Sequence, residues 1–421
     1  MYVLGLLILV LGLLVSIALH EVGHLVPAKR FGVRVSQYMV GFGPTLWSRV
    51  RGETEYGIKG IPLGGYVRLV GVYPPAEALA RPPRPGRFAE LIDGARQASA
   101  EEIRPGEDHR AFYRLSAPKK VVVMLGGPVM NLLIAVVLLG VILMGIGVPG
   151  PNATTTVAVV GQCVTTDFAA ECGDGDQPTP AAAAGLQAGD TIVSYGGRPT
   201  ATWTDVQAAI REVPGGDIPV VVEREGVEVT LVVSPVTTNR PVFDDDGQVV
   251  VGADGEPVLA PTRYIGFSPT AEVERQPASV VVRATGEATW ATMALVATLP
   301  IRLWEVTRAT LGLQERDPTI VGGVGVARFA GEVGELAGTP EQALVPWLSL
   351  LASLNIALFV FNLIPLVPLD GGHVAGALWE GARRQVARFR GRPRPAPSDM
   401  ARMVPVAYGV SWALARDGLL G

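Results

Sequence analysis

Two histidines four residues apart, with a glutamate directly after the first, stand at His20-Glu21-Val22-Gly23-His24. On a helix this spacing stacks both imidazoles on one face, where they can share a Zn²⁺ ion, and it holds Glu21 close enough to polarise the attacking water. The chain has only four His in 421 residues, so half of its imidazoles fall in this one stretch. Residues 3 to 19, 17 in all, carry no charge. That is about 25 Å of helix at ~1.5 Å per residue, which puts His20 near the far boundary of a ~30 Å hydrocarbon core. Ionisable groups in an apolar helix are costly unless paired or bound to metal, so function is their default reading. A cleaved signal peptide would need a basic n-region and a small-residue cleavage pattern, and both are missing.

A catalytic zinc site wants a third protein ligand and an open position, so another element must bring that ligand to the same depth. The composition allows for one: 48% of residues are apolar and only 18% charged, with a mean hydropathy of +0.34. These values exclude a disordered chain or a coiled coil, and two Cys exclude a disulfide scaffold. A net charge of -4 argues against a nucleic-acid partner. The length predicts two to three domains. Further apolar runs cover 121 to 148 and 343 to 366.

Charge then sets the topology. Residues 26 to 120 hold 16 Lys/Arg against 9 Asp/Glu, whereas 145 to 285 hold 7 against 18. The first loop is therefore expected in the cytoplasm, and the acidic region outside with the N-terminus. Seven Arg against Glu380 and Asp399 in 371 to 402 place that stretch inside as well. The third run thus lies parallel to the first, and Asp370 at its cytoplasmic end comes level with His24. Pro365 and Pro368 break the helix there, and Gly371-Gly372 let the backbone turn so that the carboxylate aims inward. His373 is the rival ligand, expected instead to support the site or the fold; His109 is expected on the surface.

Residues 289 to 311 are apolar but place Arg302, Glu305 and Arg308 on one helix face. They read as an amphipathic helix on the outer surface, against the alternative of a span with internal ion pairs. From about Thr156 to Ser268, short Val/Ile runs between Gly, Pro and Asp turns predict a small β-rich domain. Its Ala183-Ala184-Gly185-Leu186-Gln187-Ala188-Gly189-Asp190 segment resembles the signature of bacterial PDZ domains. A helix predicted from Trp203 to Val213 falls where such a domain has the helical wall of its peptide groove. Cys163 and Cys172, in this external domain, are expected to form a disulfide. The clusters Asp244-Asp245-Asp246-Gly247 and Asp254-Gly255-Glu256 lack EF-hand spacing and read as a solvated hairpin rather than a Ca²⁺ site.

The joint pattern of HExxH in the first span, Gly126-Gly127-Pro128 to Asn131 in the second, a PDZ-like domain and Asn362 to Asp370-Gly371 resembles the site-2 protease family of intramembrane zinc metalloproteases. The nearest branch is the bacterial one that regulates sigma factors with a single PDZ domain. The resemblance implies regulated intramembrane proteolysis of a single-pass substrate such as an anti-sigma factor already trimmed outside. It also implies that His20, His24 and Asp370 are the ligands and Glu21 the general base. It further implies that Gly41-Phe42-Gly43-Pro44 and Ile61-Pro62-Leu63-Gly64-Gly65-Tyr66 form membrane-dipping β-hairpins that receive unwound substrate. Asn362 and Asn355, seven residues apart on one helix face, are either donors to the freed substrate backbone or polar residues packing helices together. Gly185 and Leu186 mark the expected peptide-binding domain. Two departures stand out: Gly323 replaces the usual Pro in 321 to 325, and the last transmembrane helix is reduced to 404 to 414.

The expected fold class is a polytopic α-helical membrane protein with membrane-associated β-hairpins and an extracytoplasmic β-rich PDZ domain, in a bacterial plasma membrane. The first transmembrane helix takes 1–28, a cytoplasmic loop with hairpins 29–118, and the second transmembrane helix 119–148. The PDZ domain takes 156–270, an amphipathic outer-surface region 284–342, and the third transmembrane helix 343–372. A cytoplasmic basic segment at 373–402 precedes a partial last span at 403–421. The expected cofactor is Zn²⁺; the expected partners are a transmembrane substrate, a peptide at the PDZ groove and membrane lipid. Two competing functions are a membrane-anchored PDZ receptor with a structural metal, which needs four protein ligands, and a surface-acting zincin, which needs its HExxH helix outside the bilayer.

Overall fold

The computed structural model describes residues 2–79, 87–164, 172–173, 176–241, 258–310, 328–329, 331–332, 340–407 and 409. The chain divides into two units, Met1–Ile146 with Gln276–Gly421, and Gly147–Arg275.

In the first unit three helices are long and apolar enough to cross a membrane: Tyr2–Arg30, Ala117–Ile146 and Ala343–Asn362. The chain is a membrane protein, as the three apolar runs predict. Helix α1 (Tyr2–Arg30) leads into strands β1 (Val35–Arg51) and β2 (Thr54–Leu69). These two long strands double back at glycines. Gly41, at φ +92°, would bring a Cβ to 2.8 Å from the Ile61 carbonyl oxygen, so only glycine lets the strands cross there. Residues 37 to 40 pair with 55 to 58 on one side and 65 to 68 on the other. The result is a curled sheet in which 65–69 forms an outer edge. Tyr38 Oη donates to the Ala18 carbonyl at 2.8 Å, which fastens this sheet to α1.

After α2 (Arg87–Glu101) comes α3 (Ala117–Gly140), then, beyond the second unit, α4 (Ala278–Thr310), α5 (Pro340–Asn362) and α6 (Asp370–Phe389). Helices α1 and α3 cross at bare backbone: a Cβ on Gly23 would lie 2.2 Å from the Gly126 oxygen, and one on Gly126 1.9 Å from the Gly23 oxygen. With no hydrophobic drive between helices in lipid, close approach at small residues supplies the packing. Helix α5 packs on α3, and α4 runs against both. Helix α4 starts eleven residues before the expected segment at 289; the side chains of Arg302, Glu305 and Arg308 lie outside the described residues. So do the 321–325 segment and residues 410 to 414 of the expected last span.

Helix α6 is clamped to α3 by a buried ion pair. Lys120 Nζ lies 2.8 Å from Glu380 Oε2, with Lys120 6% and Glu380 1% exposed. Glu380 also pairs with Arg384 and accepts from the Ser398 amide at 3.0 Å. Removing one partner of such a pair strands a buried charge. Lys120→Met is expected to cost about 3 kcal/mol, the low end for broken buried pairs because Arg384 still faces the carboxylate. A lower Tm of the detergent-solubilised protein reads this out, and an unchanged Tm would contradict the clamp.

The second unit is an antiparallel sheet of β3 (Val148–Val160), β4 (Thr191–Tyr195), β5 (Ile218–Arg224), β6 (Val227–Val233) and, after the pair β7 (Val236–Pro241) and β8 (Leu259–Tyr264), β9 (Phe267–Glu274). Its order is β9-β3-β4-β5-β6. The β5–β6 hairpin turns at Glu225-Gly226, both at positive φ, and it carries the alternating Val run seen in the sequence. The helix Trp203–Glu212 ends one residue short of the expected span and opens on a Thr202/Asp205 capping box. Cys163 and Cys172 form the expected disulfide. The acidic clusters at 244–247 and 254–256 lie outside the described residues.

The Gly185 to Asp190 turn is locked from within. Asp190 is fully buried and takes both Nε and Nη2 of Arg224, at 2.7 and 2.8 Å, as well as the Gln187 amide at 2.8 Å. The guanidinium holds the Asp190 carboxyl below the ordinary carboxylate range. A carboxylate held low in the folded state contributes stability that is complete above its unfolded pKa of about 3.9 and is lost as pH falls below it. Protection of the β4 and β5 amides against hydrogen exchange, relative to their intrinsic rates, is therefore expected to fall below about pH 4, and Arg224→Met is expected to remove most of that fall.

Candidate metal centre

The two imidazoles and the carboxylate converge. His20 Nε2 and His24 Nε2 are 3.2 Å apart, and each is 3.4 Å from Asp370 Oδ2. Ligands held ~2.0–2.1 Å from a tetrahedral ion sit about 3.3 Å from one another, so the triangle has the size zinc requires. Among the described residues Asp370 Oδ2 has no hydrogen-bond donor of its own. Among the described residues, no other His, Cys, Asp or Glu side chains gather in this way. Two nitrogens and one carboxylate oxygen match a catalytic zinc set with an open position, whereas a structural site would be closed by a fourth ligand.

Each of the three side chains is placed by a local sequence feature. The i, i+4 spacing on α1 stacks His20 and His24 with ring centroids 4.9 Å apart. Space for them comes from Gly127 on α3, where a Cβ would fall 2.2 Å from His24 Nε2 and 2.6 Å from His20 Nε2. His24 Nδ1 lies 2.8 Å from the Val123 carbonyl oxygen. A carbonyl only accepts, so Nδ1 carries the proton and Nε2 keeps its lone pair.

Asp370 does not end the third run. Helix α5 stops at Asn362, and Asp370 opens α6. The following glycines serve packing rather than an unusual turn: a Cβ on Gly371 would meet the Ile364 oxygen at 2.3 Å, and one on Gly372 the Val367 nitrogen at 2.6 Å. The start of α6 can therefore fold down onto the 363–369 turn and deliver the carboxylate to the imidazoles.

Glu21 is buried, 8% exposed, and lines a cleft together with Val67 of the sheet edge. Gly65 lets the sheet approach closely: a Cβ there would sit 3.1 Å from Glu21 Cγ. This cleft of about 360 Å³ is lined by His20, His24, Asp370 and Glu21 together with Gly65, Tyr66, Asn362 and His373. His373 shares the cleft and stands outside the ligand triangle.

Two expected substrate contacts, Asn355 and Gly64, do not line this cleft, and the two residues expected to mark a peptide-binding domain, Gly185 and Leu186, are engaged within the second unit. Asn355 is completely buried; its Nδ2 donates to Ser16 Oγ at 3.0 Å and to the Leu351 carbonyl at 2.8 Å. It joins α5 to α1, so the helix-packing alternative holds for it and the substrate reading is withdrawn. Gly64 is a turn residue at φ +114° packed under Phe42 and does not line the cleft. Leu186, in the second unit, is 6% exposed and part of that unit's hydrophobic core, so its side chain is closed to a ligand. The Gly185 carbonyl is taken by Arg224 Nη2 at 2.9 Å. Conversely, Val123 shapes the site without having been singled out, and Gly127 and Asn131 do so as members of the Gly126 to Asn131 pattern, to which no role had been given. Their signal in the sequence is small and polar residues spaced along an otherwise apolar helix.

A membrane fold that holds two His and an Asp in zinc geometry beside a glutamate defines a membrane zinc metalloprotease. The family model described as Peptidase family M50 matches residues 8–393. The chain belongs to that family, and the resemblance to site-2 proteases is borne out. Zinc metalloprotease Rip1 of Mycobacterium tuberculosis is 36% identical over 423 residues, covering 97% of this chain and 94% of the relative. Metalloprotease MmpA of Caulobacter vibrioides is 28% identical, covering 91% and 89%. Regulator of sigma-E protease RseP of Escherichia coli is 27% identical, covering 87% and 88%. The protein is thus a zinc metalloendopeptidase.

Proposed function

We propose that this enzyme cuts a membrane-spanning segment of single-pass proteins of the anti-sigma-factor type, with His20, His24 and Asp370 holding Zn²⁺ and Glu21 as general base. The observation that carries the reading is the triangle itself, built from one candidate membrane helix and the first residue of the helix that follows another, beside the 65–69 sheet edge. The relative named for regulating sigma-E supports the substrate class.

Zinc, when bound, supplies a Lewis acid that polarises the scissile carbonyl and makes water acidic enough to attack near neutral pH. Glu21 takes the proton of that water on its carboxylate and returns it to the leaving amine. A helical peptide bond is shielded by its own hydrogen bonds, so the substrate must be extended first. The 65–69 edge, with Gly65 and Tyr66 at the cleft, accepts it as an added strand. Asn362 donates to the freed backbone. The exposed Phe42, Leu46, Trp47 and Ile61 of the bent strands lie in membrane lipid.

The Gly147–Arg275 unit is read as an extracytoplasmic PDZ domain that binds an extended peptide by strand addition, on the same side as the N-terminus. In this reading the active site faces the cytoplasmic side, 284–342 lies on the outer surface, 373–402 is cytoplasmic, and 403–421 is a partial last span. The alternative of a receptor with a structural metal asks for a fourth protein ligand; among the described residues the group has three.

The test uses purified full-length protein in nanodiscs with a single-pass substrate already trimmed on its outer side. Mass spectrometry of the products is expected to place the cut within the substrate's membrane segment, and a zinc chelator to block it. Cuts confined to soluble segments would overturn the proposal and favour a surface-acting protease.

A further inference from the structure

The two histidines differ in what holds their outer nitrogens. His24 Nδ1 faces the Val123 carbonyl, a group that can only accept. His20 Nδ1 faces the side-chain amide of Asn131 at 3.1 Å, a group that can either donate or accept. Asn131 is 1% exposed, and among the described residues its Oδ1 has no hydrogen-bond partner while Nδ2 is turned toward the ring. The two faces of an amide have nearly the same shape, so the chemistry of the partner decides which one is presented.

That choice has a consequence for the metal. If the amide donates, His20 Nδ1 must be the lone-pair nitrogen, and the proton sits on Nε2, the atom 3.4 Å from Asp370 Oδ2 that belongs to the ligand triangle. If Oδ1 accepts, the proton sits on Nδ1 and Nε2 is free to coordinate. Only the second arrangement gives His20 the same tautomer that the Val123 carbonyl imposes on His24. Residues 123, 127 and 131 recur every four positions, so they share one face of α3. Val123 orients one imidazole, Gly127 makes room for both, and Asn131 is left to orient the other.

We propose that Asn131 is the positioning residue for His20: its Oδ1 accepts from Nδ1–H and so selects the tautomer whose Nε2 binds zinc. This inference rests on the zinc reading of the site, and its test separates the two. Partners of a ligating histidine's outer nitrogen typically contribute ~10–100-fold to metal affinity. Asn131→Leu, close in size and without an acceptor, is expected to weaken zinc binding by that factor. Asn131→Asp, which can only accept when ionised, is expected to retain wild-type affinity or exceed it.

The measurement is zinc affinity of the full-length protein in detergent, by competition with a fluorescent chelator. Imidazole ¹⁵N spectra of the zinc form accompany it, feasible because the chain has only four His. In the wild type His20 is expected as the Nδ1–H tautomer. Three results would overturn the proposal: Asn131→Leu binding zinc within about twofold of wild type, Asn131→Asp losing zinc as Leu does, or His20 appearing as the Nε2–H tautomer in the zinc form. Should Asn131→Leu fail to fold, the Asp variant and the wild-type spectrum still decide. A wild type that binds no zinc would instead overturn the metal reading of the whole site.

Discussion

Glu21→Ala protein is expected to carry as much zinc as the wild type and to cut its substrate ~10²–10⁴-fold more slowly, the range assigned to a positioned general base. The asymmetry follows from where Glu21 stands. It lies on α1 between the two imidazoles yet outside the triangle formed by His20, His24 and Asp370, so removing it leaves every ligand in place. It lines the cleft beside Gly65 and Val67, where an extended substrate would lie. His20→Ala serves as the contrast: it removes a ligand, so both zinc and cleavage are expected to disappear. Zinc content measured by elemental analysis beside turnover in nanodiscs separates the two variants. Near-wild-type turnover by Glu21→Ala would remove it from the chemistry.

The second large effect needs no reactive group. Gly127→Ala is expected to lose zinc and activity together, because a Cβ at this position would stand 2.2 Å from His24 Nε2 and 2.6 Å from His20 Nε2. Neither ring can retreat freely. His24 is tied to the Val123 carbonyl at 2.8 Å, and backbone contact at Gly23 and Gly126 holds the two helices together on that side. The methyl group must therefore spread the nitrogens or part the helices, and a shift of even half an ångström takes a constellation out of productive geometry. Alanine is itself the best helix former, so α3 should persist, and circular dichroism should find its helix content unchanged. Zinc affinity within twofold of wild type would show that the crossing can relax.

How far the site was legible in the sequence differs residue by residue. His20, Glu21 and His24 could be found because their relation is local: one helix and one turn fix it, and the apolar run before them gives the depth. Asp370 was reached across 346 residues from His24 by charge asymmetry and the matching of depths. That argument was right about level and wrong about the element, since the carboxylate opens α6 instead of closing α5. Asn355 was misjudged for a related reason. Seven residues from Asn362 puts it on the same helix face, but not on the same neighbour: two turns along α5, that face meets α1 at Ser16 instead of the cleft. Leu186 belongs to a turn whose sequence signature was recognisable, while the burial of its side chain in the core was not.

The sequence by itself determined three apolar runs of spanning length, a β-rich unit between the second and third, and a pair of histidines one helical turn apart placed deep in the first. Those follow from periodicity, hydropathy and short-range spacing, which act within one element and survive in any packing. Only the tertiary structure decided which atoms meet. The glycine of α3 that admits two imidazoles, the carbonyl and amide that orient them, and the sheet edge laid against Glu21 all depend on how separate elements cross. Such contacts arise from close packing and hydrogen-bond satisfaction between segments far apart in the chain. No local pattern encodes them until the helices have come together.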